Sequence, residues 1–274
     1  MRKLVSRTIV AHAFAFVASF MLSSSAMAVG GGGNADDPAA DYAVAGPSTT
    51  ITESGGSNCT IYRPRTLTGN HPIVLWGNGT GNRPDSYDGG LTHLASWGFV
   101  VAAANTTNAG TGSAMIGCLD WLETSSLRSF LDFSKVGTSG HSQGGGGSIM
   151  AGRDSRIDAT APMAAFTIGL GHNSSSQRQQ RGPMLLLSGS SDFIAAPRSN
   201  QEPVFNRANV PVFWATLNGA GHSEPSGDFG DFRGITTAWF LYLLKGDSSL
   251  ANLFEGNNCA FCTADGWDIQ QKDI

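Results

Sequence analysis

Between residues 59 and 244 the chain alternates short apolar runs with stretches of helical spacing, and no other feature constrains the fold as much. Apolar runs at 73–76, 99–104, 184–187 and 212–217 read as strands, as does 136–139, which runs into a glycine-rich turn, with weaker candidates at 59–62 and 159–165. Between them, residues 87–96, 113–124 and 235–244 carry helical patterns. In the second of these, Met115, Leu119 and Leu122 share one face, and Gly246 closes the third. A strand that is apolar along its length is covered on both faces. Strands of that kind alternating with helices predict an α/β fold: a doubly wound, mostly parallel sheet flanked by helices, in a single domain without an evident lid.

The 274 residues suffice for one such core. Apolar residues make up 41% and charged residues 14%, which excludes a disordered chain. Arg2, Lys3 and Arg7 precede an apolar run over 9–22, and Ala26-Met27-Ala28 follows as a small-x-small cleavage site. Residues 1–28 therefore read as an export signal and the protein as secreted, extracellular or periplasmic. The run is too short for a comfortable membrane span, so no integral membrane association is expected. Residues 29–58, rich in Gly, Ser, Thr, Asp and Pro, read as a linker, and 59–274 as the catalytic domain. Loss of the signal moves the formal net charge from −4 to −7, which argues against a nucleic-acid partner.

Four cysteines in an exported chain read as two disulfides, with three possible connectivities. Cys59–Cys118 and Cys259–Cys262 are favoured because each pair sits in its own region. The rival for Cys259-x-x-Cys262 is a redox or zinc motif. Neither suits a polar C-terminal tail without further ligands nearby.

The chemistry concentrates at Gly140-His141-Ser142-Gln143-Gly144, a match to G-x-S-x-G placed directly after a strand and before a plausible helix. That context makes a nucleophile elbow, in which small neighbours let a strained turn lift the serine hydroxyl clear of the sheet. A serine hydroxyl needs a base. In this architecture the acid and then the histidine follow the serine in the chain. Only His172 and His222 come after Ser142. His222 lies in a glycine-rich loop after strand 212–217, whereas His172 comes too early to leave room for an acid-bearing strand and reads as a loop histidine. Asp192 follows strand 184–187 directly and is the expected acid. Asp154 and Asp158 read as solvated charges, and Asp228 and Asp231 come after His222. The loop after strand 73–76, Gly77-Asn78-Gly79-Thr80-Gly81-Asn82, should supply the second oxyanion donor: Thr80 N–H, with Asn78 as runner-up, beside the N–H of Gln143.

These residues resemble the α/β-hydrolase branch of bacterial cutinases and poly(ethylene terephthalate) hydrolases. Leu94-Ala95-Ser96-Trp97-Gly98-Phe99-Val100-Val101 is similar to that family's helix-to-strand signature. The elbow with its following glycines, the acid loop Asp192-Phe193-Ile194-Ala195-Ala196-Pro197 and Gly221-His222 are similar to the corresponding family loops. The resemblance implies an α/β-hydrolase fold and an oxyanion hole at Thr80 and Gln143. It also implies a groove aromatic at Phe166 and an apolar clamp at Ile194. Two positions depart from the family pattern: Thr80 replaces an aromatic side chain and Gln143 a methionine.

The expected function is ester hydrolysis through a serine acyl-enzyme by a monomer acting on an ester or polyester, with no metal or organic cofactor. Ser142, Asp192 and His222 would form the triad. The alternatives are a lipase or short-chain carboxylesterase, a carbohydrate acetyl esterase, and a non-catalytic binding protein on the same scaffold.

Overall fold

The computed structural model describes residues 37–274. The signal read at 1–28 lies outside the described residues. Helix α1 (Ala40–Ala43) leads to strands β1 (Thr50–Gly55), β2 (Cys59–Pro64) and β3 (His71–Gly77). Then follow α2 (Asp88–Ser96), β4 (Val100–Ala104), α3 (Ser113–Thr124), β5 (Leu131–His141) and α4 (Gln143–Ala151). The chain continues through β6 (Ala159–Met163), β7 (Met184–Gly189), α5 (Pro197–Arg207), β8 (Val212–Leu217) and α6 (Phe232–Lys245). Two short helices, α7 (Ala251–Phe254) and α8 (Ala260–Thr263), precede β9 (Trp267–Lys272).

The nine strands form one sheet in the order β1-β2-β4-β3-β5-β6-β7-β8-β9. The six strands from β3 to β8 run parallel, and β1, β2 and β9 are antiparallel additions at the edges. Successive side chains leave a strand on opposite faces, and the core divides accordingly. Val74 and Trp76 of β3 and Leu185 and Leu187 of β7 pack with Leu91 and Leu94 of α2 and Ile235 and Trp239 of α6. Ile73 and Leu75 point the other way, onto Met115, Leu119 and Leu122 of α3. Met184 and Leu186 join Ile149 of α4 and Val204 of α5 on that same face. Both faces are therefore covered, which is why β3, β4, β7 and β8 are largely apolar.

Six elements escaped the periodicity reading: the four-residue helices α1, α7 and α8, and three longer ones. Residues 50–55, inside the stretch read as a linker, pair as β1 with β2 from Thr50↔Pro64 to Gly55↔Cys59. An edge strand has one neighbour and needs no apolar run. β9 pairs with β8 in the C-terminal stretch for the same reason. Helix α5 starts on Pro197, where the missing N–H costs nothing, although its sequence is polar and includes Pro203.

The disulfides are Cys59–Cys118 and Cys259–Cys262, with Cα separations of 5.8 and 4.9 Å. The first ties β2 to α3 within the core face those elements share. Among the described residues no helix is long and apolar enough to cross a membrane.

Candidate active site

The site lies at the carboxyl ends of β3, β5, β7 and β8, where an open parallel sheet leaves a crevice between its diverging loops. Ser142 sits between β5 and α4 with φ 54° and ψ −119°, a left-handed conformation that a side chain tolerates only under tight constraint. The constraint is close backbone packing. A Cβ at Gly140 would strike the Gly144 carbonyl, and one at Gly144 would strike the carbonyl of Gly77 on β3. The turn is pinned further by Ser142 N–H donating to Met163 O at 3.1 Å and Phe166 N–H donating to Ser142 O at 2.8 Å.

Ser142, His222 and Asp192 are brought together in one hydrogen-bonded chain. The Ser142 hydroxyl donates to His222 Nε2 at 2.9 Å. His222 Nδ1–H donates to Asp192 Oδ2 at 2.8 Å. The other carboxylate oxygen, Oδ1, accepts the N–H groups of Ile194 at 2.9 Å and Ala195 at 2.8 Å. Burial of Asp192 pushes its carboxyl upward. The hydrogen bonds from His222, Ala195 and Ile194 outweigh that push and hold it below the usual carboxylate range. The acid therefore stays ionised beside the imidazole, which fixes the proton on Nδ1 and leaves Nε2 free to accept from the serine.

The other acids are engaged elsewhere. Asp154 pairs with Arg156 and Asp228 with Arg233. Asp158 is exposed, as the sequence suggested, and one carboxylate oxygen accepts the Val136 N–H of β5 at 2.9 Å. His172 is half-buried. Its Nδ1–H donates to Gly146 O at 3.0 Å and its Nε2 accepts from Gln177 at 3.1 Å, so it fastens its loop to α4, away from the triad.

An open cleft of about 340 Å³ exposes this chain, lined among others by Thr80, Ser142, Phe166, Leu170, Ile194 and His222. The Gln143 N–H heads α4 and so has no intrahelical acceptor. The Thr80 N–H donates to no group among the described residues. Both are available to an oxyanion. Asn78 is fully buried, and its side chain is occupied by Trp76 Nε1–H at 3.1 Å, Ala104 O at 2.7 Å and Thr106 O at 3.0 Å. It shapes the loop and leaves the cleft to Thr80.

Sequence reasoning missed the side chain of Gln143. Its Oε1 accepts from the Thr80 hydroxyl at 3.2 Å, and its Nε2 donates to Asn108 Oδ1 at 2.6 Å and Leu170 O at 3.1 Å. One buried amide thus braces three loops. The paired replacement of an aromatic by Thr80 and a methionine by Gln143 was the available signal, since two polar side chains at facing positions can bond. Nothing in the sequence pointed to Asn108 or Leu170. Four of the exposed large apolar side chains, Ile168, Leu170, Phe193 and Ile194, belong to the two loops that follow β6 and β7 at this end of the sheet.

A family model described as PET hydrolase-like matches residues 33–263. The bis(hydroxyethyl) terephthalate hydrolase of Streptomyces coelicolor is 26% identical over 218 residues, covering 76% of this chain and 69% of that protein. Cutinase est1 of Thermobifida alba is 28% identical over 190 residues, 65% of this chain and 62% of that protein. Lipase 1 of a Moraxella species is 27% identical over 166 residues, 57% of this chain and 50% of that protein. The chain thus spans between half and about two thirds of the length of these relatives. With the site at the carboxyl ends of a mostly parallel sheet and the family match over most of its length, the chain belongs to the PET hydrolase-like family of α/β-hydrolases, a family of ester-hydrolysing polyesterases.

Proposed function

We propose that this protein is an exported serine carboxylic ester hydrolase acting on polyesters and on short-to-medium acyl esters through an acyl-enzyme. The observation that carries the reading is the continuous chain from Asp192 through His222 to the Ser142 hydroxyl, exposed in the cleft. Ser142 Oγ attacks the ester carbonyl while His222 Nε2 takes its proton. Asp192 stabilises the imidazolium. The N–H groups of Thr80 and Gln143 receive the oxyanion, and losing one such donor costs about 3 kcal/mol. His222 then protonates the departing alcohol, and the same imidazole activates water to release the acid. The disulfides and the basic and apolar start of the sequence support export.

The cleft favours aliphatic over aromatic polymers. Phe166 and Ile194 give it apolar walls, while the Thr80–Gln143 brace leaves a polar edge that offers no ring to stack on. The named activities of the terephthalate-ester hydrolase and cutinase relatives support ester and polyester substrates in general. The decisive experiment treats the protein with a p-nitrophenyl phosphonate and maps the adduct. Labelling of Ser142 alone, with parallel loss of p-nitrophenyl butyrate hydrolysis, is expected. An adduct on another serine, or full activity in Ser142→Ala, overturns the assignment.

A further inference from the structure

The second residue of the elbow, His141, borders the cleft beside His222 and is almost wholly buried, with 4% of its surface exposed. Its Nε2 lies 2.8 Å from the backbone carbonyl of His222, and its Nδ1 lies 2.9 Å from the Tyr87 hydroxyl. Tyr87, also fully buried, closes the short turn Pro84–Tyr87 behind the Thr80 loop. Its hydroxyl is 3.1 Å from the Gly79 N–H and 3.2 Å from the Asn82 side-chain amide.

The proton positions in this network follow from its partners. A carbonyl only accepts, so His141 Nε2 carries the hydrogen. A neutral imidazole has one N–H, so Nδ1 accepts. The Tyr87 O–H therefore donates to His141, and its two lone pairs receive Gly79 and Asn82. Each of these donors and acceptors is used, in one direction only. Such a network has a single low-energy arrangement, because reversing any member leaves a buried group unpaired.

The network spans the two loops that must hold register during catalysis. One end is Gly79, the residue before the oxyanion donor Thr80. The other is the backbone of His222. The imidazoles of His141 and His222 also pack with centroids 4.8 Å apart.

We infer that Tyr87 and His141 are positioning residues that lock the oxyanion loop to the backbone of the catalytic histidine, so that the hole and the base are set at a fixed distance from Ser142. The inference rests on the triad proposed above. It also requires a neutral His141. A charged one would present two donors, strand the Tyr87 O–H, and set a positive charge against the imidazolium that His222 becomes. Burial, aided by the proximity of His222, lowers the His141 pKa to about 4, so it is neutral at working pH.

The test needs no variant at its first step. Histidine 15N resonances of the wild-type protein at about pH 7 should show His141 as the Nε2–H tautomer with an accepting Nδ1. The Nδ1–H tautomer, or an imidazolium, overturns the inference. Tyr87→Phe should then slow phosphonylation of Ser142 and kcat on p-nitrophenyl butyrate by about tenfold, the worth of one buried hydrogen bond, with KM within about twofold. It should leave His141 as the Nε2–H tautomer, still held by the His222 carbonyl, and shift the Nδ1 resonance as its donor is lost. His141→Phe should lose more than Tyr87→Phe, and His141→Gln, which keeps a donor for the His222 carbonyl, should recover part of that loss. A Tyr87→Phe protein with wild-type phosphonylation refutes the positioning role and leaves the triad intact. Failure of the wild type to label at Ser142 refutes the triad itself.

Discussion

Removing each member of the Asp192–His222–Ser142 chain should cost a different amount. Ser142→Ala and His222→Ala should each lower kcat on the order of 10^6-fold, because nucleophile and base act as a unit. Asp192→Asn should cost on the order of 10^4-fold, since the acid orients and transfers no proton. His172→Ala, which loses the bonds of its ring to Gly146 and Gln177, should stay close to wild type. Steady-state rates on one p-nitrophenyl ester decide these, and a larger loss in His172→Ala than in His222→Ala would reassign the base. Thr80→Tyr breaks the hydroxyl bond to Gln143 and places a ring at the cleft edge. An aromatic pair is worth about 0.5–1.5 kcal/mol, so the ratio of poly(ethylene terephthalate) to polycaprolactone turnover should rise by up to about tenfold. An unchanged ratio would mean that residue 80 does not contact the acyl group.

Helix α4 shows how an element can be helical against its propensity. Four consecutive glycines, Gly144 to Gly147, would each cost about 1 kcal/mol relative to alanine in an exposed helix. Here the helix is wholly buried, with its backbone against other backbones: Gly77, Ala165, Phe166 and Ala109 leave no room for Cβ atoms. Gly144→Ala should therefore destabilise by about 1–3 kcal/mol through overpacking, despite the better helix former. Gly117 in α3 is the opposite case, exposed and with open space where a Cβ would stand. Gly117→Ala should stabilise by about 0.5–1 kcal/mol, or about 2–4 °C in Tm. Thermal melts of the two variants that moved in the same direction would show that propensity, and not the packing of α4, governs both. The Cys59–Cys118 bridge joins positions 59 residues apart and should contribute about 4 kcal/mol in the chain-entropy model. Cys259–Cys262, three residues apart, should contribute little. Denaturant titrations of the two double serine variants separate these contributions, and equal losses would contradict the assignment.

At the scale of the whole molecule, buried neutral histidines set the acid side of the stability profile. Burial lowers His93 and His141 to about 4, and His93 is further held by donating Nε2–H to Tyr42 O at 2.9 Å. In the unfolded chain both titrate near 6.5, about the ordinary value. Between those values the unfolded chain binds more protons, so stability falls as pH falls, by up to about 1.4 kcal/mol per pH unit per histidine. Urea midpoints at about pH 7, 6 and 5 should decline in step, above the range where carboxylates titrate. A flat profile would mean that these imidazoles are solvated in the folded state.

The sequence by itself determined the doubly wound layering and the order of the chemistry along it. Strands with both faces covered are largely apolar, so β3, β4, β7 and β8 stand out without any structure. A strained serine turn needs glycines, so Ser142 stood out as well. The edge strands β1 and β9 and the polar α5 were not legible, because one-sided pairing and Pro-initiated helices leave no apolar period. Tertiary structure alone decided which polar groups meet. The Gln143 amide finds Thr80, Asn108 and Leu170, and His141 finds Tyr87 and the His222 carbonyl, across separations of 27 to 81 residues. Such bonds depend on placing donors and acceptors to within a few tenths of an ångström. Hydrophobic periodicity does not encode that precision, which the packed sheet imposes only once its loops have converged.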